Sequence, residues 1–223
     1  MIAIGVAMAM PAPPAKACLN GVDRRLNEAV ARVSAAEDDV SEGRPRLAAQ
    51  RVLNVYPHLR RQRPEVNRVA DRALRVMALA VVRTRGTVDG GRRFPGDTPE
   101  LRDHNIVWAQ RILRGFARRA PKDAAAQTGY AEALALRPER QAEALRLLTR
   151  LSTRDLVSSA HGYAALAELL RPPEPKANTP FFLVAARASL ALPRRNLAGA
   201  RCRRMAGEND DDVCGAPPRP PEG

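Results

Sequence analysis

Aromatic residues are scarce in this chain of 223 residues, which has one Trp, three Tyr and four Phe. Sandwiches and barrels draw on aromatic and β-branched side chains. With Ala, Leu and Val supplying most of the apolar set, the composition argues against both and favours close-packed helices. Histidine and cysteine are equally sparse, at three each. His58, His104 and His161 are far apart, and none has a second His or Cys at ligand spacing, so neither a metal site nor a cofactor is expected. Lysine is nearly missing: of 37 basic residues only Lys16, Lys122 and Lys176 are lysine, so the net charge of +13 is carried by arginine. The pairs Arg24-Arg25, Arg60-Arg61, Arg92-Arg93, Arg118-Arg119, Arg194-Arg195 and Arg203-Arg204 are spread along the whole chain. No aromatic residues interleave with them as a single-strand platform requires, so nucleic acid is not the expected partner.

Long apolar runs are also lacking. Ile2 to Met10 is about nine residues, against the roughly 20 that span a bilayer. It is followed by Pro11-Ala12-Pro13-Pro14 and by the small residues Ala15 and Ala17, the outline of a signal peptide over 1–17 and of export to the periplasm or medium. Cys18 would then open the mature chain, and its lipidation is the one expected route to a membrane. Lys16 and Ala15 depart from the usual lipobox before such a cysteine. In an oxidising compartment Cys202 and Cys214 are candidates for a disulfide closing a short loop, leaving Cys18 over; a bridge from Cys18 to either distal cysteine is the alternative.

Catalytic patterns are missing as well. Asp103-His104 and Ser158-Ser159 near His161 are adjacent in sequence, but neither carries the strained nucleophile turn and oxyanion pocket that a triad needs. Asp89-Gly90-Gly91-Arg92 lacks the lysine and hydroxyl residue of a phosphate loop. The expected class is non-enzymatic.

What is present is helical periodicity. Val22, Leu26, Val30, Val33 and Val40 predict a first helix over 22–40, and Pro45 starts a second that Pro57 stops. A wide apolar face from Val66 to Val81 predicts a third, with Pro64 in its first turn and Gly86 as its stop. Residues 87–98, with three glycines and Pro95, read as a solvated connector. Thr98 and Pro99 open a fourth helix with Trp108 in the core; Pro121 opens a fifth and Pro138 a sixth. Asp155 leads into a seventh that includes Leu156 and ends at Pro172, and Thr179 caps an eighth. From 207 onward, Asp210-Asp211-Asp212 and the closing prolines cannot bury apolar surface, so a mobile tail is expected over 207–223.

Gly129-Tyr130-Ala131 recurs as Gly162-Tyr163-Ala164, 33 residues on, with Glu143-Ala144-Leu145 in the helix between. That period is close to the 34 of tetratricopeptide repeats, and the segment from Pro121 to Leu170 resembles such a repeat plus the first helix of the next. Taken whole, the chain resembles small exported bacterial repeat proteins. It departs from the family in lacking a closing proline near Thr153 and a carboxylate-clamp set. The resemblance implies an all-α solenoid of about eight helices in antiparallel pairs over 18–206, whose first helices line a groove for a protein or peptide partner. It also puts Tyr130 and Tyr163 on or near that groove; the alternative is that both rings pack between helices. The rival to this interaction module is a basic protein that engages envelope polymers or nucleic acid through its arginines.

Overall fold

A computed structural model of the protein describes residues 16–62, 64, 65, 67–88, 90–171, 197–206 and 214, with side chains from Arg24 onward. Among these residues all regular structure is helical. The helices are α1 (Lys16–Ser41), α2 (Pro45–Val55), α3 (Arg68–Arg83), α4 (Pro99–Arg119), α5 (Ala124–Ala135), α6 (Gln141–Ser152) and α7 (Ala160–Leu169), followed by a helical segment at 197–206. Three short 3-10 turns, Leu59–Arg61, Gly91–Arg93 and Pro138–Arg140, lie between them. The expected leader (apart from residues 16 and 17), the helix capped by Thr179 and most of the acidic and proline-rich tail lie outside the described residues.

Side-chain caps set the helix starts. Thr98 accepts from the Leu101 amide at 3.3 Å and Pro99 takes the first position of α4, where a missing N–H costs nothing. Elsewhere the expected prolines give way to polar residues closer to the helix. Asn67, not Pro64, caps α3 by accepting from Val69 N at 2.8 Å; Pro64 lies in a turn beside Glu65, which has φ +77°. Asp123, not Pro121, caps α5 through the amides of Ala125 and Ala126. Ser159, not Asp155, caps α7. Asp155 takes a left-handed φ of +56°, which leaves Leu156 outside the helix and 44% exposed while Val157 fills the core position. Gly86, at φ +84°, ends α3 as expected, its amide reaching back to the Val81 carbonyl at 2.8 Å.

Each helix packs on its successor, and α1 on α3, α3 on α5 and α5 on α7 also meet directly. The larger core runs from α1 to α6 around Leu74, Met77, Leu113 and Leu134. A second core joins α5, α6 and α7 to 197–206 through Leu148, Tyr163, Ala198 and Cys202. Each fully buried leucine contributes roughly 1.5–3 kcal/mol of transfer free energy. α5 is apolar almost all the way round and is correspondingly buried on nearly every side.

The 87–98 segment is not the solvated connector its glycines suggested. Phe94 within it is fully buried, and Trp108, expected in the core, is only half-buried and packs edge-on against Phe94 with ring centroids 5.1 Å apart. Buried Asn105 donates to the carbonyls of Gly86 at 3.0 Å and Pro95 at 2.8 Å, clamping both ends of the loop onto α4. A side chain on Gly90 or Gly96 would collide with this arrangement, its Cβ falling 2.4 Å from Phe94 Cβ or 2.5 Å from the Gly86 carbonyl oxygen.

Candidate functional site

α1, α3, α5 and the start of α7 border an open cleft of about 650 Å³, which Met205 and Ala206 of the 197–206 segment also line. Its apolar surface comes from Val40, Val76, Leu79, Ala125 and Gly129. Gly129 lets α5 approach α3 there, since a Cβ would fall 2.8 Å from Leu79 Cδ2. Gly162 does the same for α7, where a Cβ would fall 2.6 Å from Thr128 Cγ2 on α5. The two glycines of the repeated tripeptide thus each face the preceding odd-numbered helix.

Glu132 and Arg83 form a nearly buried ion pair beneath the cleft, among polar lining residues that include Ser158, Ser159 and His161. An acid in a helix with no polar face has to be paired, because an isolated buried carboxylate is prohibitively costly. Arg83 supplies the partner, with Nε 3.1 Å from Glu132 Oε2 and Nη2 3.3 Å from Oε1, and its Nη1 donates to the Val40 carbonyl at 2.7 Å. The Ser159 hydroxyl donates to Glu132 Oε1 and accepts from Gly162 N at 3.0 Å, so α7's cap is tied to the same carboxylate. Nearby, Thr128 Oγ1 accepts from the Ser158 amide at 3.2 Å. One network therefore links α1, α3, α5 and α7. Burial alone would push Glu132 up; the charge and hydrogen bonds of Arg83, the Ser159 hydroxyl and nearby His161 outweigh it and hold the carboxyl below the usual range.

At the rim, Glu37 pairs with Arg72, Glu42 with Arg44, and Arg75 stands 3.9 Å from Asp123. The charges at the rim thus largely compensate one another.

Tyr130 and Tyr163 lie in the two cores rather than on the cleft, 8% and 2% exposed. The Tyr163 hydroxyl donates to Asp155 Oδ1 at 3.2 Å, Arg201 stacks on its ring at 5.9 Å, and burial raises its pKa. Cys202 and Cys214 are joined, with their Cα atoms 5.7 Å apart, and Arg201 donates to the Ser152 carbonyl at 2.8 Å, fixing 197–206 against α6 and α7. The side chain of Cys18 lies outside the described residues. His161 lines the cleft, whereas His58 and His104 are exposed elsewhere. Among the described residues no group of three His, Cys, Asp or Glu is placed to hold a metal ion, and no helix is long and apolar enough to cross a membrane.

Sequence reasoning missed Glu132, Arg83 and Asn105. For Glu132 the signal was there: a single acid in the otherwise apolar run Ala124–Ala135. In comparisons with known proteins, no family model, no curated protein and no solved structure matches this chain.

Proposed function

We propose that the protein is a non-enzymatic interaction module, a tetratricopeptide-like solenoid that holds an extended segment of a partner protein in the cleft bordered by α1, α3, α5 and α7. The observation that carries this reading is the direct packing of successive odd-numbered helices, with Gly129 and Gly162 making equivalent close approaches one repeat apart. Helices stacked with such a period form a continuous inner layer, and inner layers of helical repeats offer extended binding surface. The cleft lies on that layer, and its mixture of apolar surface and compensated charge suits a peptide better than a polyanion. In this reading the leader at 1–17 directs export to the periplasm or medium, where the Cys202–Cys214 bridge persists.

The test is capture of partners from the cell envelope by the tagged protein after mild crosslinking, in parallel with an Ala125→Phe variant that fills the cleft. A discrete protein that survives a high-salt wash and is lost with Ala125→Phe, at unchanged melting temperature, supports the reading. Undiminished capture by the filled variant overturns it.

A further inference from the structure

Part of the net charge of +13 is gathered at one corner of the described fold. Two of the three 3-10 turns each end on a pair of arginines, Arg60-Arg61 and Arg92-Arg93, and the fold sets these turns side by side. Arg60 stacks on the face of Phe94 at 5.0 Å and donates to Asn105 Oδ1 at 3.1 Å, while Arg93 immediately precedes Phe94 in the chain. Arg61, Arg92 and Arg93 are exposed, and among the described residues none has a carboxylate within ion-pair distance. Exposed arginines without an ion pair also occur elsewhere, Arg111, Arg114 and Arg118 on α4 among them; what sets this corner apart is that two turns, each ending on an arginine pair, are brought together. The described acids nearest in sequence are exposed Glu65, which pairs with Arg119, and exposed Asp97.

The platform under these arginines is rigid. Phe94 and Asn105 are fully buried, and Arg102 donates to the carbonyls of Gly96 and Asp97 at 2.9 and 3.3 Å, so the loop is fastened at both ends and its middle. The backbone that carries the four arginines is thus set before any partner is met, so no loop has to be ordered when the corner meets a plane of anions.

We propose that this corner, formed by Arg60, Arg61, Arg92 and Arg93, docks the protein on an anionic phospholipid surface. Clusters of four or more basic residues gain about 1 kcal/mol each, or about fivefold, next to such a surface. Nucleic acid is the less favoured polyanion here. The arginines sit on turns rather than along a helix that could enter a groove, and the aromatic ring between them is sealed under Arg60, so no base can stack on it. The inference concerns a different surface from the cleft and does not depend on what the cleft holds.

The experiment is co-sedimentation of the full chain with phosphatidylcholine vesicles containing none or about one third phosphatidylglycerol. Salt is varied from low ionic strength to about 1 M, where the Debye length falls to about 3 Å. Three variants are compared: Arg61→Gln/Arg92→Gln/Arg93→Gln, the same positions changed to Lys, and a control with equal charge loss on α4, Arg111→Gln/Arg114→Gln/Arg118→Gln. The expected result is salt-sensitive binding to the anionic vesicles only. The corner glutamine variant should bind on the order of 100-fold more weakly, while the lysine variant and the α4 control stay within a few-fold of the parent. Circular dichroism should show all three folded; if the glutamine variant is not, binding by the lysine variant set against loss in a single Arg92→Glu variant decides the matter. No binding at low salt overturns the proposal, as does equal loss in the α4 control. Displacement from vesicles by duplex DNA at matched phosphate concentration, with tighter binding to the duplex, overturns it in favour of nucleic acid.

Discussion

Arg83 and Glu132 meet between α3 and α5 with only 7% and 3% of their side chains exposed, and the polar network they anchor reaches α1 and α7 as well. Removing one partner leaves the other charge buried without compensation. Glu132→Gln is therefore expected to cost about 3–5 kcal/mol. Replacing both residues, Arg83→Met with Glu132→Leu, should restore most of that loss, because well-packed apolar substitutes for a buried pair are often neutral or better. Urea denaturation of the two variants checks the pattern; a double variant as unstable as the single one would show that the pair is not the source of the effect.

The same carboxylate sets an acid limit. Its folded-state pKa lies below its ordinary value of 4.5, so its contribution is fully present above that value and fades as pH falls through the depressed folded pKa. The stability difference between the parent protein and Glu132→Gln should accordingly be flat from neutral pH down to about 5 and shrink below about 4. Denaturation midpoints across that range test this; a gap that narrowed already between pH 7 and 6 would show that the Glu132 carboxylate is not what sets it.

The repeated glycines should not tolerate alanine equally. At Gly129 the new methyl would meet the flexible end of Leu79, which can swing aside, and the better helix propensity of alanine offsets some of the cost. At Gly162 it would meet two β-branched side chains, Thr128 Cγ2 at 2.6 Å and Val157 Cγ1 at 2.8 Å, and Ser159 Oγ at 3.1 Å. Gly129→Ala should change stability by no more than about 1 kcal/mol, whereas Gly162→Ala should lose roughly 2–3 kcal/mol. Thermal melts of the two variants decide it.

Periodicity made the helical segments legible and residue type the Thr98 cap, whereas the sequence offered Cys202 with Cys214 only as one of two pairings. It did less well at boundaries. Pro64 and Pro121 look like first-turn residues because proline is favoured there. The helices instead begin a few residues later, at Asn67 and Asp123, whose side chains satisfy free amides that proline cannot. The inward turn of 87–98 left no trace, because one phenylalanine among glycines has no period and a loop's burial depends on what packs beneath it. Tyr130 and Tyr163 have a spacing that fits either a groove or a core, and only the packing of neighbouring helices, which no local pattern carries, places both rings inward. The Arg83–Glu132 pair spans 49 residues of sequence, beyond the reach of any local pattern.

Asn105 is the residue by which α4 holds the loop, and its amide does so with no spare capacity on the donor side. Both Nδ2 hydrogens are used, on Gly86 O and Pro95 O, and Oδ1 accepts from Arg60. Asn105→Ala removes three hydrogen bonds and leaves buried carbonyls unpaired, so a loss of about 2–4 kcal/mol is expected. Asn105→Asp keeps the size but sets a carboxylate against two carbonyl oxygens, and it should be no better than alanine. A global effect alone would weaken every helix alike. Release of this clamp should instead raise hydrogen exchange first at the Arg93 and Phe94 amides, which bond within the loop to Gly90 O and Gly91 O. It should also expose the bonds after Arg92 and Arg93 to trypsin under native conditions. If both variants lose stability while cleavage there stays as slow as in the parent, the loop is held by Phe94 alone and Asn105 is not its clamp.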